Sequence, residues 1–136
     1  MTLKWKKNSD GSLTLPKGEY YIGDLCYVDC LSKVWDDFCF EMNKNEHSSV
    51  GGIEFFASGT AYGDGFYTGS DGVEYAVDSG LIGIISAKHL TASDRAEEYI
   101  HTTKFDKPFT VSAINGIFHF GHITIDTLTD DDELNF

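Results

Sequence analysis

Short runs of alternating apolar and polar residues occupy most of the chain, and turn-forming pairs separate them. Asp10-Gly11, Asp71-Gly72 and Asn115-Gly116 are such pairs, and the stretch 63–65, Gly-Asp-Gly, is another turn-forming segment. These residues supply the positive φ angles that tight hairpin turns need. The pattern predicts strands near 12–15, 18–22, 53–62, 66–69, 73–78, 81–85, 109–114 and 117–126, and another from about 98 to 105. Evenly spaced short strands are typical of a small antiparallel β-sandwich or barrel.

One segment has helical spacing instead. Its apolar residues recur at intervals that place them on one face of a helix, and they are Val34, Trp35, Phe38, Cys39 and Met42. This periodicity predicts a helix over residues 32–43 with Ser32 as its N-cap. Trp35 lies at the centre of the apolar face, so we expect it to be buried where the helix meets the sheet. The predicted fold class is therefore mainly β, with one helix packed on the sheet.

The run 117–126 has a change of parity. Phe118 and Phe120 share one face of a strand, whereas Ile123 and Ile125 would lie on the opposite face. A single strand with one buried face needs an extra residue between the two pairs, and Gly121 is suited to such a bulge.

Length and composition favour one soluble domain. The chain has 136 residues, and we expect a compact domain over 1–127 followed by an acidic, mobile tail over 128–136. The opening MTLKWKKNSDG lacks the apolar segment of a secretory signal, and no run approaches ~20 apolar residues. Three cysteines, Cys26, Cys30 and Cys39, cannot all pair within one chain, which favours free thiols and a cytoplasmic location.

The charge balance bears on the class of partner. Twenty-two acidic residues against ten basic ones give a net charge of −12, and the last eleven residues carry five acids and no base. A negative potential repels phosphate backbones, so we expect no nucleic-acid partner. It favours a basic protein surface, and nothing in the pattern indicates a membrane partner.

Four sequence blocks carry a resemblance. GEYYIGDLCYV, GTAYGDGFY, VDSGLIGII and GIFHFGHITIDT stand in order between residues 17 and 127. Together they resemble a family of small uncharacterised proteins of bacteriophages and bacteria. The resemblance implies an origin in a phage or mobile element and no particular activity.

The segment Asp78-Ser79-Gly80 follows an apolar run, as the catalytic aspartate of aspartic peptidases does. Such an enzyme needs two carboxylates that share a proton. The chain has the motif once, so this alternative requires a homodimer. Leu81 follows the motif, where those peptidases usually have a small residue. The structural interpretation is that Val77 ends a strand, 79–80 form a turn, and 81–85 form the next strand.

Metal chemistry gives two further hypotheses, although we expect no cofactor. Four aspartates end apolar strands and would bind Ca²⁺ or Mg²⁺ if they converged; they are Asp24, Asp64, Asp78 and Asp126. A zinc site would use Cys26, Cys30, Cys39 and His47. His119 and His122 would face the same way only with the bulge at Gly121. Glycine-flanked aspartates are also common turn residues, and cysteines on apolar faces are usually core residues.

Aromatic residues are dense on the predicted sheet, and alternation leaves some of them facing outward, which favours a binding function. Tyrosine beside glycine and aspartate is typical of protein-binding surfaces. The predicted function is a non-enzymatic module that engages a host or regulatory protein through Asp24, Tyr62, Asp64, Phe66 and Tyr67. The first alternative is a homodimeric aspartic-peptidase-like hydrolase that uses Asp78. The second is a protein that sequesters a small nucleotide signal, which needs a basic pocket drawn from Lys17, Lys33, Lys88, Arg95 and Lys104.

Overall fold

The computed structural model describes residues 3–128, and these residues form twelve strands. In chain order the strands are β1 (Lys6–Lys7), β2 (Leu13–Leu15), β3 (Gly18–Gly23), β4 (His47–Val50), β5 (Ile53–Gly59), β6 (Gly65–Thr68), β7 (Glu74–Val77), β8 (Leu81–Ser86), β9 (Thr102–Phe105), β10 (Phe109–Ile114), β11 (Ile117–Phe120) and β12 (Ile123–Asp126). The helices are α1 (Asp29–Ser32), α2 (Trp35–Lys44) and α3 (Ala92–Arg95), with 3₁₀ turns at Leu25–Tyr27 and Ala87–His89.

The strands form two five-stranded sheets and a hairpin, and every pairing is antiparallel. The first sheet has the order β1-β2-β10-β11-β12, and the second has the order β4-β5-β8-β3-β9. Strands β6 and β7 form the separate hairpin, which a bridge between Gly69 and Ile125 joins to the first sheet. The mainly β prediction is thus confirmed, and the architecture is a small β-sandwich with helices on it.

The main core lies between the two sheets. Successive residues of β3 point to opposite faces of the second sheet. Tyr20 and Ile22 belong to the main core, and Tyr21 lies on the other side of the sheet. Side chains rise alternately from the two faces of a strand, so β3 serves two cores. The largest completely buried residues of the main core are Leu15, Tyr67, Ile82, Ile84, Phe118 and Phe120.

The helices cover the outer face of the second sheet and make a second core. Phe38 of α2 is fully buried there and contacts Phe55 of β5, with ring centroids 4.6 Å apart. Trp35 is only partly buried and stacks on Phe38 at 4.7 Å. The predicted helix is therefore present, but its central buried residue is Phe38 and not Trp35.

The start of this helix also differs from the prediction. Ser32 ends the short helix α1, where its hydroxyl donates to the Asp29 carbonyl, and α2 begins three residues later at Trp35. Val34 occupies the N-cap position without a side-chain bond. Ser32 was the wrong cap because the chain makes two helices where the periodicity indicates one.

The parity change in 117–126 is a hairpin and not a bulge. Phe120 pairs with Ile123, so Gly121 and His122 are a two-residue turn between β11 and β12. Gly121 has a φ of +62°, which suits the first position of a type II′ turn. The reversal of the chain brings Phe118 and Ile125 together as a cross-strand pair, and both are buried in the main core.

The remaining strand predictions agree with the structure to within a few residues, except at two places. The strand from 53 ends at Gly59, so residues 60–62 belong to a loop. Strands β1 and β4 were missed, because the first is a pair of exposed lysines and the second, HSSV, has no fully buried residue. No helix within residues 3–128 has the length and apolarity that a bilayer crossing requires.

Candidate functional site

A buried carboxylate organises one end of the sandwich. Asp24 follows β3 directly, and its side chain belongs to a residue that is only 1% exposed. Its Oδ1 accepts hydrogen bonds from the Cys26 amide at 2.9 Å and the Ser79 hydroxyl at 2.7 Å. Its Oδ2 accepts from the amides of Asp78 at 2.8 Å and Ser79 at 2.7 Å. Four donors on one carboxylate compensate for the loss of water around the charge.

These bonds make the Asp-Ser-Gly segment a structural turn. Strand β7 ends at Val77 and β8 begins at Leu81, as the structural interpretation of the sequence expected. Gly80 has a φ of +82°, a conformation that other residues rarely adopt. Asp24 was predicted as a binding residue. The structure corrects this prediction, because the Asp24 carboxylate is buried and holds the turn.

The peptidase chemistry requires a carboxylate that can activate water. The Asp24 carboxylate accepts from the Asp78 amide, but its two oxygens together accept from four donors. Because this carboxylate is also buried, it is not available to activate a water molecule. Asp78 itself is exposed, and its Oδ2 accepts from the Tyr27 hydroxyl at 2.6 Å. A dyad within one chain is therefore not formed by these two residues, and the homodimeric form of the hypothesis stays a prediction.

The Cys26 thiol lies in the same cluster and is held protonated. Burial, and then the hydrogen bond with Asp24 and the charges of Asp24 and Asp78, raise its pKa from 9.0 to about 12. A thiol is nucleophilic as the thiolate, so Cys26 is inert at neutral pH. Burial and the bond to Asp78 likewise raise the pKa of the Tyr27 hydroxyl, which remains a donor.

An exposed loop rests on this turn. The Thr60 amide donates to the Gly80 carbonyl at 3.0 Å, which fixes residues 60–64 beside the Asp-Ser-Gly turn. Tyr62 in this loop is 55% exposed, and Phe66 at the start of the next strand is 44% exposed. Asp64 between them is also exposed.

The neighbouring side chains extend the exposed region into one surface. A depression of about 290 Å³ joins Asp64 and Phe66 to Asp78. Tyr27, bonded to Asp78, packs against Tyr99 with ring centroids 4.9 Å apart. We refer to Tyr27, Tyr62, Asp64, Phe66, Asp78 and Tyr99 as the aromatic–acidic surface.

Tyr67, the remaining predicted binding residue, lies elsewhere. It is completely buried in the main core, and its hydroxyl donates to the Gly63 carbonyl at 2.9 Å. The reason is the alternation along β6, which turns Phe66 outward and Tyr67 inward. Tyr67 is therefore corrected from a contact residue to a residue that anchors the 60–64 loop.

The metal hypotheses find limited geometric support. Asp24 and Asp78 adjoin, and Asp64 borders the same depression as Asp78. The Asp126 carboxylate accepts instead from the Leu128 amide at 2.9 Å. Among residues 3–128, no three side chains of the ligand types His, Cys, Asp and Glu come together as a metal site, and the three cysteines are free thiols.

Three residues of this surface, Tyr27, Asp78 and Tyr99, were not predicted from the sequence as binding residues. Asp78 was considered as a catalytic residue or a metal ligand, and Tyr99 lies in the predicted strand 98–105 but precedes β9, which begins at Thr102. Only the tertiary fold brings these residues together, because Tyr27 and Asp78 are 51 positions apart in the sequence. Their shared signal in the sequence is the tyrosine and aspartate content of the turns.

Comparisons with known proteins add no relative. No protein-family model matches the chain, and no curated protein and no solved structure matches it.

Proposed function

We propose that this protein is a non-enzymatic binding module, encoded by a phage or mobile element, that engages a basic segment of a host or regulatory protein. The aromatic–acidic surface is the contact region. The observation that carries the proposal is that exposed aromatic rings and exposed carboxylates lie together beside the Asp-Ser-Gly turn. The buried Asp24 carboxylate fixes this turn, since it accepts four hydrogen bonds. The resemblance of the four sequence blocks supports the stated origin.

The surface has the chemistry that lysine and arginine side chains require. Within residues 3–128, neither Asp64 nor Asp78 forms an ion pair, so the charges of both carboxylates can attract a cation. The rings of Phe66 and Tyr99 are 44% and 46% exposed, and an aromatic face attracts a guanidinium or ammonium group. Aromatic residues with few torsion angles lose little entropy on binding. The net charge of −12 adds a long-range attraction for a basic partner.

The test compares two matched double variants as bait. Phe66→Ala with Asp78→Asn removes one ring and one charge from the aromatic–acidic surface. Phe40→Ala with Asp106→Asn makes the same chemical changes at exposed positions elsewhere, since Phe40 is 60% exposed on α2 and Asp106 is exposed after β9. Proteins captured from a host lysate by the wild type are identified, purified and measured for affinity against both variants.

We expect the surface variant to weaken the affinity of a captured partner at least tenfold, as loss of central aromatic and charged contacts does. The control variant should bind within about twofold of the wild type. Equal binding by the two variants would contradict the proposal. A chain that sediments as a dimer and cleaves protein substrates, with cleavage abolished by Asp78→Asn, would establish the peptidase alternative instead.

A further inference from the structure

A second concave region lies where the N-terminal segment crosses the second sheet. It is a cleft of about 260 Å³ between four parts of the chain: residues 4–5, the stretch 16–20 that leads into β3, residues 52–54 at the start of β5, and the end of β8 with the 3₁₀ turn that follows. Trp5, Pro16 and Tyr20 form the apolar part of its wall. The cleft is separate from the aromatic–acidic surface, with which it shares no residue.

The cleft gathers positive charge in a strongly acidic protein. Lys4, Lys17 and Lys88 line it, and all three are exposed residues. They are three of only ten basic residues in the chain. Within residues 3–128, none of the three forms an ion pair, so their ammonium groups are available to a ligand.

The acidic residues of the wall are already engaged. The Glu54 carboxylate accepts from the backbone amides of Lys4 at 2.9 Å and Trp5 at 2.8 Å, and it pairs with His47 at 2.7 Å. Glu19 forms an ion pair with Arg95 at 3.2 Å. Because Glu54 is buried and Glu19 is paired with Arg95, the exposed lysines give the cleft its accessible charge.

A neutral hydrogen-bonding group completes the site. Burial, and then the charge of Lys88, lower the pKa of the His89 ring, so the ring is uncharged at neutral pH. His89 therefore offers a donor and an acceptor beside the lysines. The apolar wall formed by Trp5 and Pro16 can shield the nonpolar part of a ligand from water.

We propose that this cleft binds the phosphate group of a small organic molecule, with Lys4, Lys17 and Lys88 around the phosphate and the organic part against Trp5. Lysine is a common phosphate ligand and acts as a point charge. The volume, about 260 Å³, lies just below the range of drug-sized pockets, which suits a small ligand. The net charge of −12 repels a polynucleotide but affects a single small anion far less.

The proposal is tested with three probes of known chemistry. Adenosine 5′-monophosphate carries both a phosphate and a planar ring, inorganic phosphate carries only the first, and adenosine only the second. Calorimetric titration at low ionic strength should show binding of the monophosphate, weaker binding of inorganic phosphate and none of adenosine. Amide shifts in NMR spectra of the labelled protein should appear at residues 17–20 and 86–89.

Matched lysine variants assign the binding to this cleft. Lys17→Gln with Lys88→Gln should weaken monophosphate binding at least tenfold. Lys33→Gln with Lys44→Gln makes the same change of net charge on the helical layer and should alter the affinity for the monophosphate less than twofold.

Absence of binding by both phosphate probes, or equal loss of affinity in the two variants, would overturn the proposal. Tighter binding of a short DNA duplex than of the monophosphate would also overturn it, in favour of a nucleic-acid site. Neither result bears on the aromatic–acidic surface, so the two proposals fail independently.

Discussion

Two carboxylates at the residue scale show how this sandwich accommodates buried charge. Asp24 and Glu54 are 1% and 8% exposed, and each accepts hydrogen bonds from two or more backbone amides. An ionised group without such partners is costly to remove from water. Each residue links segments that are about 50 positions apart. We therefore expect each to contribute more to the free energy of unfolding than a surface aspartate does.

Asp24→Asn tests this role. The amide nitrogen that replaces one carboxylate oxygen must face backbone donors, which leaves buried N–H groups unsatisfied. We expect the free energy of unfolding to fall by about 2–3 kcal/mol in urea titrations. Asp64→Asn is the matched control, because Asp64 is exposed, and it should change stability by less than about 0.5 kcal/mol. Equal effects of the two substitutions would contradict the role of Asp24.

Turns and helix faces set the geometry at the scale of elements. The Gly121 turn reverses the chain so that β11 and β12 both contribute to the main core. A Cβ at Gly121 would lie 2.7 Å from the Phe105 ring, which is closer than carbon atoms approach. On the opposite side of the second sheet, Phe38 and not Trp35 is the fully buried residue of α2. Gly121 and Phe38 are therefore the positions at which a substitution tests these two elements.

Gly121→Ala should destabilise the protein by about 2–3 kcal/mol, from a strained positive φ and from the contact with Phe105. Gly51→Ala is the matched control, because its φ of +57° is similar and no heavy atom lies within 4 Å of the added carbon. That variant should lose only about 1 kcal/mol. Chemical denaturation of both gives the contribution of the contact as a difference. Equal losses would show that the ring moves aside freely.

Phe38→Ala should cost about 3–5 kcal/mol, as large aromatic truncations in cores do. Trp35→Ala should cost less, because the indole is partly exposed and rests on the Phe38 ring. The same denaturation experiment ranks the two. A larger loss at Trp35 would mean that the tryptophan is the centre of the helical core.

The whole molecule separates its charges and buries several weakly acidic groups. Exposed carboxylates lie on the aromatic–acidic surface, and exposed lysines lie in the separate cleft. Burial raises the pKa of Cys26 to about 12 and that of Tyr20 to about 12, and it raises the pKa of Tyr21 and Tyr75 as well. All four groups are protonated in the native state well into the alkaline range.

This pattern predicts alkaline instability. A folded pKa above the unfolded value means that the unfolded chain loses its proton first. The contribution of these groups to the free energy of unfolding is therefore constant below pH 9.0 and falls as the pH rises toward about 12. The urea midpoint should therefore decrease steadily above pH 9.0. Cys26→Ser keeps a hydroxyl donor for Asp24 and removes the first titrating group, so its decrease should begin about one pH unit later, where the tyrosines ionise. An unchanged midpoint up to pH 11 would contradict the burial of these groups.

Local patterns were sufficient for the class of fold and for most strand positions. The Asn115-Gly116 turn illustrates this, since both residues adopt the positive φ that the pair predicts, at 52° and 82°. The helix over the 35–44 region followed equally from its spacing. At Gly121 the same kind of reasoning failed, because a bulge and a two-residue hairpin produce the same change of parity. Only the pairing of β11 with β12 distinguishes the two.

The sequence by itself determined a mainly β domain with a helix on one side, because alternation, turn residues and helical spacing are local properties. Tertiary structure alone decided which aspartates and tyrosines reach the surface. Asp24 is buried because its partners at 78 and 79 arrive from a turn 54 or more positions away, and Tyr67 is buried because of the face on which β6 packs. The lysine cleft arises in the same way, since Lys4, Lys17 and Lys88 meet only when three distant segments pack together. Contacts of that range depend on the complete packing, which no local pattern contains.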